Sequence, residues 1–223
     1  MPIMQLPNID ADDYESPAVL AEDSPTATPK YGTSVQSGWG TAPVNKDKKY
    51  PTAFKFGPQT QVVAFFEDAP FANYKQHWID RSAGKRSFVC ALPGQPCPLC
   101  DKPVSNVPAQ KYDFNVVVLT DEEWEVKILT AGVSFGRDLQ TANEDPMRGP
   151  LTKSFWAISR QGMGPTTRFS LERVRPRDLA EEWKIDPDKV AEFMATATPY
   201  TNDTVYVSPY EELVKLAESF GAA

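Results

Sequence analysis

The sequence predicts a mainly β protein, a small antiparallel barrel followed by short α-helices at the C-terminus, and three observations predict it. From residue 51 onward, short apolar and aromatic runs are broken by Gly, Pro, Asn and Asp, the texture of β-strands and turns. No helical segments alternate with these runs, which favours a small antiparallel barrel over a doubly wound sheet. The chain also carries 21 prolines in 223 residues, about twice the usual share of 5%. Each proline lacks an N–H and fixes φ, so long helices and wide uninterrupted sheets are disfavoured.

Residues 1–50 are rich in Pro, Ser, Thr, Gly, Asp and Glu with no sustained periodicity, and are expected to be largely disordered. This leader ends in Lys46-Asp47-Lys48-Lys49, which could touch phosphate, although a short charge run beside a domain is ordinarily just solvated. Strands are expected at Gln61–Phe66, Tyr74–Ile79, Lys85–Ala91, Phe114–Thr120, Glu125–Leu129, Lys153–Ser159 and Thr167–Leu171, with Ser82-Ala83-Gly84 as a hairpin turn. The barrel thus occupies residues 51–175. After Val174 the pattern turns helical. Pro176–Trp183 suits a short helix, and Asp186-Pro187 supplies an N-cap with proline at the first helical position. Ser208-Pro209-Tyr210-Glu211 reads as a capping box, after which Tyr210, Leu213, Ala217 and Phe220 fall on one helical face. Residues 176–223 are therefore expected to form an acidic helical segment whose last helix packs on its own domain.

The net charge of −7 is divided unevenly. Residues 1–34 hold six acids against Lys30, a net of −5; residues 35–175 hold 18 bases and 14 acids, a net of +4; residues 176–223 hold four bases and ten acids, a net of −6. A polyanion would meet the basic middle at close range, whatever the overall sign. The acidic flanks could occupy that basic surface until a polyanion displaces them. No run approaches the length of a membrane span, and the N-terminus lacks the basic and apolar regions of a secretory signal, so a soluble intracellular protein is expected.

Three cysteines cannot all pair within one chain, and two of them form Cys97-Pro98-Leu99-Cys100. The single histidine, His77, precedes Cys90 with 12 residues between them; six residues separate Cys90 from Cys97, and two separate Cys97 from Cys100. One imidazole and three thiolates match the four-ligand shell of structural Zn2+, with a zinc subdomain inserted at about residues 74–102. Taken singly, each residue has an ordinary explanation: a packed histidine, a core cysteine, a thioredoxin-like redox pair. The redox reading lacks a strand-to-helix context and leaves His77 and Cys90 without roles. A zinc deaminase is also unsupported, because its His-x-Glu unit would need an acid where Ile79 stands. Four protein ligands leave no open coordination position, no second nucleophile and base pair is apparent, and no enzyme is expected.

The stretch from Gln61 to Cys100 resembles the zinc-containing single-stranded DNA-binding (helix-destabilising) proteins of T-even-type bacteriophages. It carries a Gln-x-Val-x-x-Phe strand, Ala69-Pro70-Phe71-Ala72, His77, Gly84-Lys85, Cys90 and Cys97-Pro98-x-Cys100. The likeness continues more weakly through Tyr112-x-x-Asn115 to about Val174, with a Cys90–Cys97 loop about three residues shorter than the family pattern. The resemblance implies an OB-fold extended by a zinc subdomain, with His77, Cys90, Cys97 and Cys100 as ligands and Tyr112 in a DNA cleft. It further implies work in phage DNA replication, recombination and repair in the cytoplasm of the bacterial host. Partner proteins of those processes would be met through the acidic C-terminal segment. The family's short basic N-terminal arm is replaced here by an acidic leader, and its long acidic tail by the helical segment.

The residues support the same direction. Bases interleave with aromatics at Lys75, Trp78, Arg81, Lys85, Arg86, Lys111, Tyr112, Phe114, Arg137, Lys153, Trp156, Arg160 and Arg168. Bases neutralise phosphates and rings stack on unpaired nucleobases without reading sequence. Strand alternation puts about half of such aromatics in a core. Trp78, Tyr112 and Trp156 are the foremost stacking candidates. Another reading is a zinc-stabilised β-domain that scaffolds protein contacts without binding nucleic acid.

Overall fold

A computed structural model describes residues 51–79, 86–90, 96–100, 107–162 and 167–219. All of them belong to the second of two units into which the chain divides, Tyr31–Ala223. The leader at 1–50, the Ser82-Ala83-Gly84 turn, Arg81, Lys85 and Phe220 lie outside the described residues.

The architecture is mainly β. Its strands are β1 (Thr52–Ala53), β2 (Gln61–Phe65), β3 (Ala72–Trp78), β4 (Ser87–Val89), β5 (Ala109–Val118), β6 (Val126–Gly132), β7 (Phe155–Gln161) and β8 (Arg168–Val174). Its helices are α1 (Val133–Glu144), α2 (Pro176–Glu182), α3 (Pro187–Thr196) and α4 (Tyr210–Ser219). One eight-stranded sheet runs β1-β6-β5-β2-β7-β8, with β3 paired to β5 and β4 paired to β3. The long β5 organises it: β6 follows one edge, while the other edge pairs first with β3 and then with β2.

Two expectations about the sheet are corrected. It is mixed rather than wholly antiparallel, because β1 joins β6 in parallel, and its path ends at β1 and β8 without closing into a barrel. Side chains bridge where backbone does not. Phe56, just past β1, lies 4.4 Å from Phe169 of β8 between ring centroids, and Phe169 lies 4.9 Å from Phe135 of α1. Apolar burial therefore curls the sheet around α1 without a hydrogen-bonded seam.

Helix α1 has no counterpart in the expected element order. Phe135, Leu139 and Ala142 recur at helical spacing and are buried against the inner sheet face. Gly132 and Gly136 interrupt that stretch and weaken its helical propensity, and tertiary packing overrides them. The strands otherwise fall near their expected places, with ends displaced by a few residues; β5 begins at Ala109 because it must reach β3 as well as β2.

Alternation assigns each strand residue to a face. The inner face carries Val63, Phe65, Phe114, Val116, Val118, Leu129 and Trp156 against α1. The outer face carries Val62, Ala64, Val117, Ala157 and Val174 beneath α2 and α3, and Ala72, Tyr74 and Ile128 beneath Tyr200, Val205 and Val207. The expected caps differ in outcome. Asp186 accepts from the Asp188 N–H with Pro187 in the first turn. At α4 the Pro209 carbonyl accepts the first intrahelical bond, so the cap lies one residue later than expected, and the buried Ser208 hydroxyl has no partner.

Phe114 and Trp156, expected to face nucleic acid, are core residues at 4% and 1% exposure. Both sit at inner-face positions covered by α1 and the turn at Leu151–Lys153, and the Trp156 indole N–H donates to the Leu151 carbonyl at 2.8 Å. Asp113, 3% exposed in the middle of β5, is the costliest burial. Desolvation pushes its carboxyl up from 3.8 to about 6, although hydrogen bonds from Thr130 and Tyr74 and the Lys111 charge pull it back. Burial and the adjoining Asp113 likewise push the Tyr74 phenol up.

Trp156→Ala should destabilise the fold by about 3–5 kcal/mol, measured by urea unfolding, because it removes a large core side chain and orphans a buried carbonyl. Asp113 binds its proton more tightly folded than unfolded. The stability it contributes is thus complete below about pH 4 and lost as pH rises through about 6, a change on the order of 3 kcal/mol. Asp113→Asn should remove that decline when urea midpoints of variant and native chain are compared across this window.

Candidate metal centre

The four candidate ligands meet because of strand register. In the β3–β4 pair, His77 stands opposite Phe88, and the Cys90 N–H donates to the Lys75 carbonyl one step further along. His77 and Cys90 are therefore diagonal neighbours on the inner face, within side-chain reach. A hydrogen bond from the Ile79 N–H to the Arg86 carbonyl continues the pairing towards the hairpin end. The other two ligands come from a single turn, in which the Cys100 N–H donates to the Cys97 carbonyl at 3.0 Å and Leu99 points into the core.

The four ligand atoms all lie within 4.8 Å of one another. His77 Nε2 is 3.5 Å from Sγ of both Cys97 and Cys100, and Cys90 Sγ is 3.7 Å from Cys100 Sγ. A tetrahedral ion with metal–sulfur and metal–nitrogen bonds of about 2.3 and 2.0 Å would have edges of about 3.8 Å between sulfurs and about 3.5 Å from nitrogen to sulfur. The two nitrogen–sulfur separations and the Cys90–Cys100 sulfur separation match those edges. The cysteines are free of disulfides, and three thiolates with an imidazole suit a soft or borderline transition metal rather than Mg2+ or Ca2+.

Electrostatics leads to the same conclusion. Burial, then the neighbouring Cys97 and Cys100, push the Cys90 thiol up, since each additional thiolate in so small a volume repels the others. A divalent cation among the sulfurs reverses that sign and makes deprotonation favourable. His77 and Cys97 are buried, Cys90 is half-buried and Cys100 is exposed, so the centre has one closed side and one side open to solvent.

The expected nucleic-acid contacts are only partly brought together. Lys75 and Tyr112 share the inner face beside the metal hairpin, where Asn73 stands opposite Tyr112. Arg137 of α1 lines a small cleft of about 20 Å3 together with Tyr112 and Gly136. Gly136 is the residue that reading of the sequence missed. A Cβ there would lie 2.6 Å from Tyr112 Cδ2, so glycine lets the helix approach the ring; its signal was a glycine inside the Phe135–Leu139 spacing.

Trp78, 53% exposed, and the half-buried Lys111 lie on the outer face. Arg86, Lys153, Arg160 and Arg168 are exposed but spread over the end of β4, the turn before β7, the end of β7 and the start of β8. Among the described residues no helix is long and apolar enough to cross a membrane. Searches against known protein families, curated proteins and solved structures return no match.

The chain should take up one divalent ion with release of protons, seen as tetrahedral thiolate bands on titration with Co2+. Cys97→Ser should weaken uptake on the order of 100-fold or more, in proportion to one of four ligands in a site worth about 10–16 kcal/mol.

Proposed function

We propose that this chain is a sequence-nonspecific single-stranded DNA-binding protein with one structural Zn2+ at His77, Cys90, Cys97 and Cys100. The observation that carries the reading is that Tyr112 and Arg137 line one cleft while Lys75 shares the face of Tyr112, beside the hairpin that bears two of the candidate ligands. Tyr112 is half-buried, with its ring held against Gly136, so its orientation is set before any ligand arrives. An oriented ring loses little freedom on stacking, and base–aromatic stacking is worth about 1–3 kcal/mol per base. Lys75 and Arg137, both exposed, can neutralise phosphates to either side.

On this reading the curled sheet is an open variant of the OB-fold, the class whose grooves combine basic tracks with aromatic platforms. Zinc, with all four positions taken by protein side chains, stiffens the hairpin and does no chemistry. Coating of single strands during phage DNA replication, recombination and repair, in the cytoplasm of the bacterial host, is the role that agrees with the sequence resemblance. A second reading, a zinc-stabilised scaffold for protein contacts, draws on Trp78 and Tyr206, large side chains exposed at 53% and 63%.

Fluorescence anisotropy of labelled oligo(dT) at low salt decides between them. Binding is expected, with log affinity falling linearly as log salt rises. Tyr112→Ala should weaken it by roughly 5- to 150-fold, the equivalent of about 1–3 kcal/mol, with circular dichroism unchanged. No binding by the native chain, or equal binding by the variant, overturns the DNA reading in favour of the scaffold.

A further inference from the structure

Helix α4 has ten residues, and isolated helices shorter than about 12–15 residues are marginal in water. Its helicity must come from what it packs against. Leu213 and Ala217 are buried, with Leu216 beside them, while Glu211, Glu212, Lys215 and Glu218 face solvent. The surface beneath consists of Ile79, Phe88, Cys97 and Leu99, with Cys90 at its margin. Among the described residues, the buried side chains of α4 join no other apolar cluster.

That surface adjoins the candidate metal centre on the same face of the hairpin. Phe88 stands opposite His77, Ile79 continues β3, and Leu99 lies between two ligands. Cys97 serves twice, offering sulfur to the cluster and apolar surface to the helix. The Cys97–Cys100 turn carries two of the four candidate ligands and the β3–β4 hairpin the other two, so an ion held by all four would tie the turn to the hairpin. We propose that metal occupancy holds α4 in place: the loaded turn is the helix's docking surface, and loss of the ion releases Tyr210–Ser219. This rests on the reading of the four side chains as a metal site. Release would free a segment carrying three acids and one base, coupling the state of the metal to the availability of the acidic C-terminal end. Linkage requires the reverse as well: a docked helix tightens metal binding by the same factor by which metal favours docking.

The test uses the full chain loaded with Zn2+, stripped by a chelator, and reloaded, followed by amide hydrogen exchange. Exchange within Tyr210–Ser219 should accelerate at least tenfold on stripping and recover on reloading, while amides of β5 and β6 keep their protection. Leu213→Asp, which undocks the helix without touching a ligand, should weaken Zn2+ affinity in competition with a chromophoric chelator, and Glu218→Gln should not. The coupling is overturned if stoichiometric Zn2+ is bound yet exchange in α4 is the same with and without it. It is also overturned if Leu213→Asp binds Zn2+ as tightly as the native chain, or if stripping unprotects β5 and β6 equally. A chain that takes up neither Zn2+ nor Co2+ overturns the metal reading itself, and the coupling with it.

Discussion

The small lobe of this protein rests on four donor atoms drawn from a hairpin and a turn into a space less than 5 Å across. Hydrogen bonds align β3 with β4, and the candidate ligands bring the Cys97–Cys100 turn against that pair. Three thiols and an imidazole have no strong attraction for one another, and as thiolates the sulfurs repel. A cation at their centre turns this least favourable grouping into the strongest tie in the lobe, and the apolar residues interleaved with the ligands then become a defined surface. Ligand chemistry and apolar packing meet in one turn, with Cys97 part of both and Leu99 buried beside it.

The larger part of the fold obeys a different constraint. The main path of its sheet ends at β1 and β8, and edges of that kind must be covered or kept apart. Here α1 fills the concave side, and Phe56, Phe135 and Phe169 meet across the gap between the two end strands. The outer side is covered by the chain after β8, with α2 and α3 over β2, β5 and β7, and Tyr200 to Val207 over β3 and β6. The acidic C-terminal segment is thus structural along most of its course. Its charges project from elements whose apolar residues complete the core.

These constraints leave one stretch of inner face with polar and aromatic groups uncovered. Next to Phe114 on that face, Gly136 allows the helix close to Tyr112, Arg137 lines the cleft beside the ring, and Lys75 stands on the same face of β3. Alternation of faces places Lys111 and Asp113 of β5, with Tyr74 of the adjoining β3, on the outer side instead, where the buried Asp113 carboxyl carries a substantial desolvation cost. Neighbours in sequence therefore line separate cavities on opposite faces, a cleft of about 20 Å3 beside Tyr112 and a cavity of about 280 Å3 lined by Tyr74, Asp113 and Thr130.

Much of this was legible in the sequence because it depends on local chemistry. Strands between turn residues, the Asp186-Pro187 helix start and the ligand set His77, Cys90, Cys97 and Cys100 follow from residue type and spacing, for only a few residue types can cap a helix or hold a soft metal. What the sequence could not decide was which face each side chain would occupy and what would cover it. Trp156 and Phe114 carry the same chemistry as Tyr112, yet two are core and one borders a cleft, because α1 lies over the first two and makes room at Gly136 for the third. Helix α1 itself, the parallel β1–β6 pair and the seat of α4 beside the candidate metal ligands arise from burial between segments far apart in the chain. Helical spacing within α1 or α4 does not say which distant segment will cover the apolar face, so only the tertiary structure settled it.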